Sequence, residues 1–358
     1  MKFFKITSFI LFISLIFIYG LGIGAYKWFP YDQLRSLKWF LTSDERGSSN
    51  YDENLAESLY IEKRDPEKLL DLRKEVIKLI VPNKEISVNF NGDKNKVEVS
   101  TTYYGITNNA VLTKNSQNSS CLRVYIQGHG GDPFNYSYHN KILNKTLERG
   151  CDILSMSMLG LGLNDGQVSF PTNFGEIELN KRQASEHGNY SFFYDEDNPH
   201  LDPLSLFLYP HMSIINETKN EYNYKEIVIM GISGGGWYSV WLSALMPEIK
   251  TTISYAGTLP FAFRKSNKNT GDWEQVYSRL YKIINYMDLY QLMIVDDDGL
   301  KNRKAFLVYN NNDPCCFSDP YATALKKSID GDKSFPVVIV DKNDEHTMDE
   351  SLIFSILK

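Results

Sequence analysis

The sequence predicts an α/β fold with a mostly parallel central sheet and helices on both faces, preceded by an N-terminal apolar helix. Three observations predict it. Beyond Pro82, short apolar β-rich runs bounded by turn residues alternate with stretches of helical spacing, the pattern of a parallel sheet covered on both sides. The chain has 358 residues, 42% of them hydrophobic, enough for one large α/β domain with appendages. Glu226 to Pro247 reads as an apolar β-branched run, an abrupt glycine-rich turn and then a helical apolar pattern.

Taken in order, the chain opens MKFFK and then carries no charge from Ile6 to Tyr26. As a helix that run is about 31 Å long, close to a bilayer core of about 30 Å. Residues 1–27 are therefore expected to be an uncleaved signal anchor, a transmembrane helix with its N-terminus in the cytoplasm and the bulk of the chain outside. Secretion after signal cleavage is the alternative, since Gly20, Gly22, Gly24 and Ala25 offer small residues for a cleavage site. Residues 28–82 read as a juxtamembrane helical linker. Within it Asp65-Pro66 starts an amphipathic stretch to Ile80, either a docking arm or a helix packed on the main domain.

Residues 83–358 form the expected α/β domain. Its strands are Ile86 to Phe90, Val97 to Tyr104, Leu122 to Gln127, Asp152 to Met158, Glu226 to Met230, Thr251 to Ala256, Ala305 to Tyr309 and Pro336 to Val340. Asn91-Gly92-Asp93 joins the first two. Asn140 to Arg149 and Trp237 to Met246 are expected helices. Long insertions interrupt the domain at about 159–225 and 258–303. The first is rich in Phe, Tyr and Asn over Phe170 to Tyr194 and looks helical over Asp202 to Ile215. It is part of a lid or substrate wall, or an ordinary helix with decorated loops.

Gly231-Ile232-Ser233-Gly234-Gly235 is a G-x-S-x-G pentapeptide between a strand and a helix. That context exposes a serine hydroxyl at the end of a sheet, as a nucleophile elbow does. The pentapeptide is weak alone, so the rest of the chain has to support it. Gly128-His129-Gly130-Gly131 follows the strand Leu122 to Gln127. Acyl transfer needs two N–H groups aimed at the developing oxyanion, and Gly234 with Gly130 or Gly131 would supply them. A serine also needs a base, and the base an orienting acid. Of six histidines only His346 lies after Ser233, and Asp313 precedes it behind another strand. Asp296, Asp297 and Asp298, after the apolar run Leu292 to Val295, are the alternative source of the acid. His129, His139, His187, His200 and His211 precede Ser233 and are expected to be structural or superficial.

The order Ser233, Asp313, His346, with His129-Gly130-Gly131 upstream, resembles the α/β-hydrolase fold family of serine hydrolases. The resemblance covers Ile86 to the C-terminus. It implies Ser233 as nucleophile, His346 as general base and acid, Asp313 as its orienting partner, and Gly234 with Gly130 or Gly131 as oxyanion hole. The loop departs from lipase-type members in having two glycines after the histidine, where three are common. The strands that follow Cys121 and Cys151 are neighbours in that family, so a disulfide between the two is geometrically feasible. Cys315 and Cys316 are adjacent, and two thiols or another pairing is expected there rather than a mutual bond.

These residues together read as a serine hydrolase cleaving an ester through an acyl-enzyme on Ser233, with a small-molecule substrate or an acylated envelope glycan or lipid. An acyltransferase or peptidase would use the same residues, and a catalytically inactive fold could serve as an envelope binding module. No cofactor is expected. No metal site is expected either, because His346 with Asp344 and Glu345 has no second histidine or cysteine at ligand spacing. The net charge of −6 with both signs dispersed, and the lack of a basic stripe, argue against nucleic acid.

Overall fold

The computed structural model describes residues 19–20, 63–115, 119–166, 168–179, 184–264, 271–276 and 279–358. The expected span Ile6 to Tyr26 lies outside them except for Tyr19 and Gly20, which are helical. Among the described residues no helix is long and apolar enough to cross a membrane. The chain divides into two compact units, 1–48 and 49–358. The sheet, the helices that pack on it and the candidate site all belong to the second.

Nine strands form one sheet: β1 (Val88–Gly92), β2 (Lys96–Tyr103), β3 (Ile106–Thr113), β4 (Cys121–Gln127), β5 (Asp152–Ser157), then β8 (Glu226–Ile232), β9 (Ile249–Tyr255), β10 (Lys304–Asn310) and β11 (Val337–Asp341). Their spatial order is β1-β2-β3-β5-β4-β8-β9-β10-β11. The first three pair antiparallel, β3 also meets β5 antiparallel, and every pair from β5 to β11 is parallel. A parallel sheet needs both faces covered, and β5 and β8 accordingly bury nearly every residue. The remaining two strands, β6 (Val168–Thr172) and β7 (Gly175–Leu179), make a separate hairpin inside the first insertion.

The helices are α1 (Pro66–Ile80), α2 (Ser137–Glu148), α3 (Ser205–Tyr222), α4 (Gly234–Leu245), α5 (Trp273–Val276), α6 (Tyr286–Leu292), α7 (Tyr321–Ile329) and α8 (Glu350–Ile356). Asp65 caps α1 by accepting the Glu67 N–H, with Pro66 in the first turn, as the sequence leads one to expect. The apolar side of α1 is buried at Leu69, Val76 and Ile80, so this helix packs on the domain. Every residue of α4 is buried. Its Trp237 and Trp241 donate their indole N–H groups to the Tyr281 hydroxyl, at 2.9 and 3.2 Å.

Where the sequence expectation fails, the cause is local. The apolar run Leu292 to Val295 ends α6 and turns through the core. Strand β3 is absent from the sequence expectation, since Asn108 and Asn109 break its apolar alternation. Asn109 is held by the insertion instead: its N–H donates to Asn164 Oδ1 and its side-chain amide to the Leu163 carbonyl, at 2.5 and 2.9 Å.

Two buried guanidinium groups satisfy the carbonyl ends of α4 and α6. Arg73 of α1 donates to the carbonyls of Ala244, Leu292 and Val295 at 2.8, 3.2 and 2.6 Å. Arg303 donates to the carbonyls of Ile249, Leu292 and Ser243 at 2.6, 3.0 and 2.6 Å. Burial, with Arg73 nearby, pulls the Arg303 pKa down to about 9, which leaves it charged at neutral pH. The Ser243, Ala244 and Leu292 carbonyls are among the unpaired ends that every helix leaves, and a cation there also complements the helix dipole.

Cys121 and Cys151 are joined by a disulfide across the start of β4 and β5, enclosing a sequence separation of 30 residues. A loop of that length removes roughly 3–4 kcal/mol of freedom from the unfolded chain.

This packing makes two substitutions costly. Arg303→Met leaves several buried carbonyls without a donor and should cost at least about 1–3 kcal/mol, read as a lower urea midpoint at unchanged slope. Gly235→Ala would put a methyl 2.0 Å from the Ile126 carbonyl oxygen, so the same titration should show a loss of about 1–3 kcal/mol or more.

Candidate functional site

Strand β8 delivers Ser233 at its C-terminal end, immediately before α4. Ser233 has φ 57° and ψ −128°, a left-handed conformation that costs a residue with a Cβ about 1–3 kcal/mol. Its N–H donates to the Tyr255 carbonyl at 2.9 Å, and its carbonyl accepts the Trp237 N–H at 3.0 Å. The turn is therefore fixed from both sides. Close approach of the backbone explains the flanking glycines: a Cβ on Gly231 would lie 2.2 Å from the Gly235 carbonyl oxygen.

Asp313 follows β10 and His346 follows β11, on the same edge of the parallel strands to which β8 brings Ser233. The carboxylate of Asp313 is wholly buried, and its Oδ2 lies 2.8 Å from His346 Nδ1. Its other oxygen accepts the N–H groups of Cys315 and Cys316 at 2.8 and 3.1 Å. That division of labour fixes the carboxyl plane, and Oδ2 is left to the imidazole and, at 3.4 Å, the Asn310 amide. The His346 side chain is a quarter exposed. Turned toward Asp313 by the same loop, Cys315 and Cys316 are bonded to each other, contrary to the expectation of two thiols. No free cysteine occurs among the described residues.

The alternative acids are occupied elsewhere. Asp296 accepts the N–H groups of Asp298 and Leu300 and the Asn302 amide, at 3.1, 2.9 and 3.0 Å, closing its own loop. Asp297 faces Arg73 at 3.4 Å. Asp344, beside His346 in sequence, accepts from the Asn312 amide at 2.9 Å.

The loop after β4 runs against the elbow. A Cβ on Gly128 would stand 2.7 Å from the Ser233 Cβ and 3.0 Å from the Gly234 nitrogen. Gly131 donates its N–H to the Gly128 carbonyl at 3.1 Å, which commits that group to the loop's own turn.

The five upstream histidines separate into three kinds. His139 and His211 are buried and hydrogen-bonded, to the Ser155 hydroxyl and the Ser157 carbonyl, both at 2.9 Å. Burial lowers the pKa of each to about 4, so both are neutral core residues. His200 is exposed. His129 and His187 instead meet at Glu274, from three segments far apart in the chain: His187 Nδ1 lies 3.0 Å from one carboxylate oxygen and His129 Nε2 3.3 Å from the other. Burial disfavours the charged form of His129, but Asp272 and Glu274 outweigh it and raise its pKa to about 9. Burial by itself would raise Glu274 too; the imidazoles of His187 and His129 reverse this and hold the carboxyl well below its usual range. Residue spacing carries no sign of this cluster, because only the fold brings its members together.

No family model matches the chain, and no curated protein sequence matches it. Solved structures do. A glucuronoyl esterase from Solibacter usitatus superposes with TM-score 0.52 and 10% identity, over 82% of this chain and 91% of that one. A Bacteroides fragilis protein provisionally described as an acetyl xylan esterase gives 0.50 and 13%, over 83% of each chain. Together with the parallel sheet and its strand order, these superpositions establish that the chain has the α/β-hydrolase fold.

Proposed function

We propose that the protein is a serine ester hydrolase that works through an acyl-enzyme on Ser233. One observation carries the reading: the buried Asp313 carboxylate meets His346 Nδ1 at 2.8 Å, on loops that follow neighbouring parallel strands. That contact holds the proton on Nδ1 and turns Nε2 into the basic nitrogen. Nε2 then takes the Ser233 hydroxyl proton as the oxygen attacks the carbonyl carbon, and the new oxyanion is met by the Gly234 N–H and a second donor from the loop after β4. Of the two glycines in question Gly130 is favoured, since the Gly131 N–H already serves Gly128. His346 returns its proton to the leaving alcohol, water repeats the attack on the acyl-serine, and the acid product departs.

An ester is favoured over other acyl bonds because the two fold neighbours are named for cleaving esters, one of them a glucuronoyl ester and the other provisionally an acetyl xylan ester. Our reading of the uncharged run Ile6 to Tyr26 as a signal anchor puts the enzyme on the outer side of a membrane. An acylated envelope glycan or lipid is then the substrate class within reach.

Replacing Ser233 with Ala should abolish labelling by a fluorophosphonate probe and lower ester turnover by about four to six orders of magnitude; labelling at unchanged stoichiometry would remove Ser233 from the role. Asp313→Asn should cost about 10⁴-fold in kcat by offering the wrong tautomer. Asp296→Asn should stay within about twofold of the native rate, as a surface change does. The reverse ranking would transfer the acid to Asp296.

A further inference from the structure

His129, His187 and Glu274 take no part in acyl transfer by Ser233, yet they meet beside the elbow. His129 belongs to the loop after β4, His187 to the first insertion, and Glu274 to α5 in the second. One ligand atom from each lies within 4.8 Å of the others. Glu274 is fully buried and His187 is 2% exposed, so bulk water does not solvate them. Two of their polar atoms, His129 Nε2 and Glu274 Oε1, face each other at 3.3 Å without hydrogen-bond geometry, and a third, His187 Nε2, makes no hydrogen bond. A buried polar atom without a partner destabilises a core, and His187 Nε2 beside a loosely paired carboxylate is where a ligand would relieve that.

We propose that His129, His187 and Glu274 bind one divalent cation of the zinc class. Imidazole nitrogen with carboxylate oxygen is a donor set that suits zinc, whereas magnesium and calcium favour oxygen throughout. In a tetrahedral site with bonds near 2.0 Å, neighbouring donors stand roughly 3.3 Å apart. His129 Nε2 and Glu274 Oε1, both without a hydrogen bond, are 3.3 Å apart. Three protein ligands leave a fourth position for water or another donor. An outer carboxylate is also in place: Asp272 Oδ2 faces His129 Nδ1 at 3.5 Å, where it orients the ring and fixes the proton on the nitrogen that does not ligate.

The cation would join the loop after β4 to both insertions, next to Ser233. His129 Cε1 lies 3.0 Å from where a Cβ on Gly234 would stand, so the ring already touches the elbow. Binding there orders the segments that border the serine without requiring the metal to touch the reacting bond.

The test uses the full chain, stripped with a chelator, and reads metal binding rather than turnover, so it is decided independently of the role of Ser233. Added zinc should be retained at one equivalent after dialysis, and cobalt(II) in its place should give the visible absorption of a four-coordinate nitrogen and oxygen site. Glu274→Gln and His187→Gln should each weaken zinc binding by more than the roughly 10- to 100-fold that loss of an outer partner costs, while His200→Gln on the surface leaves it unchanged. Substoichiometric zinc without a cobalt band in the native chain overturns the proposal whether or not the variants fold. So does binding that survives Glu274→Gln and is lost instead in His346→Gln, which would place the metal at His346 and not at this cluster.

Discussion

The structure depends on how closely β4, β8 and the start of α4 approach one another. At the crossing there is no volume for a Cβ: one on Gly235 would lie 2.0 Å from the Ile126 oxygen, and one on Gly128 would lie 2.5 Å from the Ile232 oxygen. Because the backbones touch, the chain must leave β8 and enter α4 within one residue, and Ser233 takes the left-handed conformation that this requires. The strain is held in place by packing. Helix α4 has no exposed face to relax toward, and the Ser254 hydroxyl donates to the Gly236 carbonyl at 3.0 Å to fix its first turn. A side chain presented this way has few rotational states to lose, which is what a reacting group needs.

A second constraint is the satisfaction of buried charge. Asp313 is tolerated in the core because two peptide N–H groups and an imidazole meet its oxygens. The same rule governs Arg73 and Arg303, whose donors end chiefly on carbonyls from the ends of α4, α6 and the segments beside them. These cations tie the N-terminal helix α1 and the segment entering β10 to the back of the nucleophile helix. Rigidity at Ser233 is thus supplied from the face opposite the reaction.

Much of this architecture is legible in the sequence, for a physical reason. Strands buried on both faces must be continuous apolar runs, so Leu122 to Gln127, Glu226 to Met230 and Ala305 to Tyr309 declare themselves. Asp313 and His346 are readable because each stands shortly after such a run. The signal fades where tertiary contacts replace periodicity. Strand β3 carries Asn108 and Asn109 where it pairs with β2 alone, and on the side that β5 does not reach the insertion bonds the second of them. The hairpin β6 and β7 lies in an insertion whose composition is that of a loop. Adjacent cysteines look unsuited to a mutual bond in the sequence, and it is the turn around Asp313 that aligns them. The cluster around Glu274 has no sequence signature, since its three members are drawn from separate segments.

That cluster bears on how the insertions and the elbow are coupled. A carboxylate with no exposure is not stable beside apolar rings, and Glu274 sits on the segment that includes Trp273, which packs 6.0 Å from Phe207. It must keep a positive partner, and the nearest nitrogens belong to the loop after β4 and to the first insertion. The second insertion therefore cannot lift away alone: doing so would strand a charge on one side or two imidazoles on the other. Tyr281 strengthens the link, since its hydroxyl receives both indole N–H groups of α4 and donates to the Glu274 carbonyl at 3.1 Å. The segments best placed to select a substrate are in this way anchored to the helix that presents the serine, so a change in one is felt at the other.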